Sequence, residues 1–110
     1  MRNALIILSA GAIWCAAAGA EVPAGRQGEL RHMLTHDCGS CHGLRLTGGL
    51  GPPLTKTSLI HKDATALAAV IRHGLPGTPM PPWKAIISDE EALWLAEFMK
   101  GDSDTGDTAQ

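Results

Sequence analysis

The chain has 110 residues and a formal net charge of −2 with histidines neutral, enough for one domain and without the basic excess that marks a nucleic-acid-binding module. Its aromatic residues are Trp14, Trp83, Trp94 and Phe98, too few rings to fill a small core, so a large buried cofactor would supply the missing volume. No strand pattern, repeat or dinucleotide-type glycine motif appears, and the fold class is read as all-α.

Residues 1–20 carry Arg2 in a short charged start, an apolar run over 4–18 and the small-x-small site Ala18-Gly19-Ala20. This is the pattern of a cleaved secretory signal peptide. The run falls short of the ~20 residues a spanning helix needs, so membrane contact is expected only during export. Cys15 leaves with the signal, because Ile13 and Trp14 before it are larger than a lipoprotein site accepts. The folded domain is expected over 21–101. A first helix is expected over about 25–35, with Gln27, Leu30 and Leu34 on one face. Residues 39–54 are rich in Gly and Pro and read as loop. A short helix is expected over 58–61, and a longer one follows Asp63 as N-cap and ends at His73 before Gly74. Pro76, Pro79, Pro81 and Pro82 hold 75–83 extended or turned. Ser88 with Glu91 forms a capping box for a last helix over 89–100, stopped by Gly101. The acidic tail, 102–110, is expected to be disordered.

Cys38-Gly39-Ser40-Cys41-His42 is C-x-x-C-H, the attachment pattern of a c-type haem. Two cysteines three positions apart on one helical turn reach the two vinyl groups of a haem edge as thioethers, and His42 is carried under the iron as an axial ligand. A disulfide between the two cysteines would close too small a loop to stabilise much. His32 and His36 precede the cysteines at H-x3-H spacing and offer a zinc site as the rival; both are more simply solvent-facing residues of the first helix. A redox dithiol would want a βαβ context. Neither rival accounts for two downstream features. About ten residues after His42, the turn at Gly51-Pro52-Pro53-Leu54 would present the Pro52 carbonyl to the second ring nitrogen of His42. Further on, Met80 lies between Pro79 and Pro81, where its thioether would serve as the sixth iron ligand. His61 and His73 are the alternatives to Met80, while Met33 and Met99 read as packing residues. Trp83 is either a propionate hydrogen-bond donor or a rim aromatic.

The order of N-terminal helix, C-x-x-C-H, Gly-Pro-x-Leu, helix, Pro-flanked methionine and C-terminal helix resembles the class I cytochromes c over residues 25–100. The resemblance implies a small cytochrome c fold of three to four short helices around one covalently bound haem. It also implies crossing terminal helices with Leu30, Leu34, Trp94, Leu95 and Phe98 at the contact; Gly28 is only loosely placed to be the small residue there. Within the family, the segments 38–44, 48–52 and 76–83 look most like the small periplasmic monohaem cytochromes encoded beside the cytochrome-cd-type nitrite reductase of denitrifying bacteria. That likeness implies a non-enzymatic single-electron carrier in the periplasm, serving that reductase and taking electrons from an upstream donor, or alternatively helping to mature the reductase's special haem. Between residues 39 and 84 the charges are Arg45, Lys56, Lys62, Arg72 and Lys84 against Asp63 alone, whereas acids dominate beyond Lys84. The positive half is either ordinary solvated surface or a patch that steers docking to an acidic partner.

Overall fold

The computed structural model describes residue 11 and residues 21–101. The signal-peptide and acidic-tail assignments lie outside the described residues, apart from Gly11. The fold is all-helical among the described residues, with four helical runs. Helix α1, Ala24–Met33, follows Pro23, whose carbonyl accepts from Gln27 N–H at 2.9 Å. It does not stop at residue 35 as the sequence suggests. It widens into a π-helical turn, Leu34–Cys38, and continues as α2, Gly39–His42. The glycine-rich segment therefore begins one helical turn later than its composition implies, and the run ends at Gly43, whose φ of 89° breaks the helix.

Helix α3 is Lys56–Leu59, two residues earlier than expected. Thr55 takes the N-cap position, its Oγ1 accepting from Ser58 N–H at 3.3 Å, and this fixes the start. Helix α4, Ala64–His73, is capped by Asp63, which accepts from Ala66 N–H at 2.8 Å. Helix α5, Asp89–Lys100, opens on the full Ser88–Glu91 capping box and closes on Gly101 in the left-handed conformation.

Helix α5 is the hub, packing against α4, α3 and α1. Leu30 of α1, Leu95 of α5 and Ile87 just before α5 are the largest fully buried side chains. Ala92 and Ala96 are also fully buried, giving α5 a small-residue face on which neighbours approach closely. Leu34 is buried, and Trp94 and Phe98 are partly buried and stacked at a centroid distance of 5.1 Å. Gly28 is exposed, and a Cβ there would meet nothing within 4 Å. The buried alanines of the bundle are thus Ala68 on α4 and Ala92 and Ala96 on α5.

A polar clamp joins the first helix to the last. Arg26 Nε donates to Glu91 Oε1 at 2.7 Å, and Arg26 Nη2 donates to Glu91 Oε2 at 3.2 Å and to the Ile86 carbonyl at 2.9 Å. These hydrogen bonds hold the Glu91 carboxyl below the usual carboxylate range and raise the already high pKa of the Arg26 guanidinium. Among the described residues no helix is long and apolar enough to cross a membrane.

Candidate haem-attachment site

The continuous helix delivers Cys38, Cys41 and His42 to its own C-terminal end. Gly39 is buried, and a Cβ on it would already touch Leu44 Cα at 3.4 Å, so the following chain folds back closely over the motif. Both thiols are free and half-buried. Burial pushes the Cys38 thiol up, with the Asp37 charge adding to it. Protonated thiols are poor targets for oxidants, so burial favours keeping Cys38 reduced.

The loop after His42 satisfies the helix's terminal carbonyls. Gly51 N–H donates to the Cys41 carbonyl at 2.9 Å, and Gly48 N–H donates to the His42 carbonyl at 2.8 Å. Leu54 N–H returns to the Leu46 carbonyl at 2.8 Å, closing the loop on itself. This brings the Pro52 carbonyl 2.7 Å from His42 Nδ1. A carbonyl only accepts, so Nδ1 carries the proton and Nε2 keeps its lone pair. Gly51 makes the approach feasible: a Cβ there would sit 2.5 Å from His42 Cε1 and 2.6 Å from Nδ1.

Met80 and Trp83 occupy a second loop, anchored to the end of α4. Trp83 N–H donates to the Ile71 carbonyl and Lys84 N–H to the Arg72 carbonyl, both at 3.1 Å, so the loop caps the helix. Gly74, with φ of 69°, allows the chain to turn back, since a Cβ there would meet the Met80 carbonyl oxygen at 2.6 Å. Thr78 Oγ1 accepts from Met80 N–H at 3.3 Å and donates to the Leu75 carbonyl at 2.7 Å. Met80 is half-buried; His61 and His73 are exposed. Trp83 is packed against the core and borders an open groove with Pro81, Pro82, Ala85 and Ile86. Hydrogen bonds tie His42, Pro52 and the cysteine backbone into one unit, and tie Met80 and Trp83 into another; none joins the two loops among the described residues.

The donors present fit a haem c. Two free thiols lie on one turn beside an imidazole whose Nε2 is available, and the half-buried thioether is the soft ligand such iron takes. Leu44 and Leu50, in the loop after His42, and Leu75, in the loop that carries Met80, stand exposed, apolar surface in the donor-bearing segments that a macrocycle would shield.

The positive half of the sequence is less uniform in space than in order. Arg72 is paired with Asp89 at the start of α5. Lys56 reaches Gly101 at the end of α5, where a Cβ would lie 3.2 Å from its Nζ, so its charge sits on the negative end of that helix. Arg45, Lys62 and Lys84 are exposed and make no ion pair among the described residues. The Arg26 clamp and the steric requirement at Gly51 had no local sequence signature, because both depend on residues brought together only by the fold.

Residues 25–99 match the family model described as cytochrome C oxidase, cbb3-type, subunit III. A curated relative, cytochrome c55X of Paracoccus denitrificans (strain Pd 1222), is 50% identical over 76 residues, covering 69% of this chain and 74% of that protein. The solved structure of the c-type cytochrome NirC is 51% identical with a TM-score of 0.71, over 73% of this chain and 94% of that one. The structure of the dihydro-heme d1 dehydrogenase NirN in complex with DHE is 27% identical with a TM-score of 0.59, over 71% of this chain and 17% of that one. With the helical fold and the C-x-x-C-H turn, these matches establish that the chain belongs to the class I c-type cytochromes, electron-transfer proteins that carry covalently bound haem c.

Proposed function

We propose that this cytochrome is a periplasmic single-electron carrier that binds one haem per chain and delivers electrons to a cytochrome-cd-type nitrite reductase, drawing them from an upstream periplasmic donor. Cys38 and Cys41 would hold the haem as thioethers, and His42 Nε2 and the Met80 sulfur would bind its iron. The observation that carries the reading is the His42 Nδ1–H to Pro52 carbonyl bond at 2.7 Å, which fixes the imidazole tautomer and raises the basicity of the nitrogen left for the metal. Bound there, the haem would supply a one-electron couple, and a thioether among its ligands would raise the potential. The protein's own part is to hold His42 at the end of α2, fixed by the loop that follows, and Met80 on a loop anchored to the end of α4. Trp83, packed against the core and bordering an open groove, would contact a propionate through its indole N–H.

The partner is supported by the names of the similar proteins, NirC and cytochrome c55X, and by the segments 38–44, 48–52 and 76–83. Export to the periplasm is supported by the signal-peptide pattern of residues 1–20. A second reading, assistance in maturing the reductase's special haem, is favoured by the likeness to part of a dihydro-heme d1 dehydrogenase. Rapid mixing of the reduced, haem-loaded protein with purified nitrite reductase tests the first. Oxidation of the cytochrome within the reductase's turnover time is expected. Failure to oxidise on that timescale, together with reductase lacking its special haem in a deletion strain, would transfer the role to maturation.

A further inference from the structure

The histidine pair His32 and His36 is left unused by the haem site. Both residues are exposed, on the stretch where α1 passes into the π-helical turn. Side chains four apart on a helix share a face, and here the two rings stand with centroids 4.2 Å apart at a tilt of 42°. Neither ring makes a hydrogen bond among the described residues, so its ring nitrogens are not committed elsewhere. The flanking Arg31 is directed away, its guanidinium lying 6.0 Å from the Phe98 centroid. The scaffold beneath is rigid, because Leu30 and Leu34, interleaved with the pair, are buried in the core.

We propose that His32 and His36 form a surface site for a late divalent transition cation, separate from the haem, with Cu2+ bound most tightly. Imidazole is a favoured ligand for zinc, copper and nickel, and the order of affinities for a given nitrogen site peaks at Cu2+. No group of three or more His, Cys, Asp or Glu side chains suited to a metal occurs among the described residues, so the pair supplies two ligands and water completes the shell. Two nitrogens on one preformed helical face chelate. Once the first is bound the second is an intramolecular contact, which raises affinity by roughly 10²–10⁴ over either alone. The site is open, so the cation exchanges freely. Its binding bridges the α-helical and π-helical segments just ahead of Cys38.

Titration of the haem-loaded protein with Cu2+, followed by calorimetry, tests the site. The wild type is expected to bind one equivalent tightly. His32→Gln and His36→Gln should each weaken that binding by about a hundredfold, and His61→Gln should leave it unchanged. Electron paramagnetic resonance of the wild-type copper complex should show two equivalent imidazole nitrogens, a readout independent of whether any variant folds. Copper uptake that survives both substitutions, uptake that depends on only one of the two histidines, or a spectrum with a single imidazole would overturn the site.

Discussion

At the scale of single residues, the glycines separate two roles that look alike in sequence. Gly51 lies against the His42 ring, where any Cβ would overlap it, whereas Gly28 faces open space on α1. Alanine at 51 must push the ring off the Pro52 carbonyl, and such overpacking costs about 1–3 kcal/mol. Alanine at 28 removes a flexible residue from a helix interior and should stabilise by about 0.5–1 kcal/mol. Denaturant unfolding of the two haem-loaded variants checks this, and Gly51→Ala should also shift the reduction potential, since it disturbs the bond that tunes the imidazole. Equal effects of the two substitutions would show that the loop yields around the ring. The C-x-x-C-H motif and the role suggested for Pro52 were visible in sequence because ligand chemistry is encoded within a few adjacent positions. The closeness of Gly51 to the ring was not, since it is set by backbone hydrogen bonds from the loop to α2 and within the loop itself rather than by residue type.

At the scale of elements, caps were legible and junctions were not. Asp63, Ser88 with Glu91, and Gly101 end their helices where the sequence places them, because a cap is a local bond between a side chain and nearby backbone. The passage from α1 through a π turn into α2 was hidden, because glycine content argued for a loop while packing of Leu30 and Leu34 sustained the helix. Glu91 joins both kinds of information. It completes the α5 capping box and also receives the Arg26 clamp, which lowers its pKa. A carboxyl with a depressed folded-state pKa stabilises the protein above its unfolded value, about 4.3 for glutamate, and that contribution disappears as pH falls through the folded value. Unfolding free energy should therefore decline on acidification below the ordinary glutamate range, and Glu91→Gln should flatten that decline. Ser88→Ala, which removes the cap but leaves the ion pair, should cost about 1 kcal/mol without flattening it. A Glu91→Gln profile parallel to wild type would mean that the clamp contributes no pH dependence.

At the scale of the whole molecule, the question is whether charge guides the cytochrome to its partner. Sequence order alone groups Arg45, Lys56, Lys62, Arg72 and Lys84, but the fold commits Arg72 to Asp89 and lays Lys56 along the end of α5. The charges left for an encounter are Arg45, in the loop that follows His42, Lys62, ahead of α4, and Lys84, directly after Trp83. If these steer docking, the second-order rate of electron transfer to an acidic partner surface should fall as ionic strength rises, because exposed charges are screened beyond about 8 Å at 0.15 M. Lys84→Glu should slow the bimolecular step and weaken its salt dependence while leaving the reduction potential unchanged. Lys56→Glu should behave differently. Placing a negative charge at the C-terminal end of α5 opposes the helix dipole, so it should lower stability by about 0.3–1 kcal/mol with a smaller effect on rate. Stopped-flow oxidation across a salt series, paired with thermal unfolding of both variants, distinguishes the two. A rate indifferent to salt and to Lys84→Glu would remove the steering role, and equal slowing by both reversals would return Lys56 to the docking face.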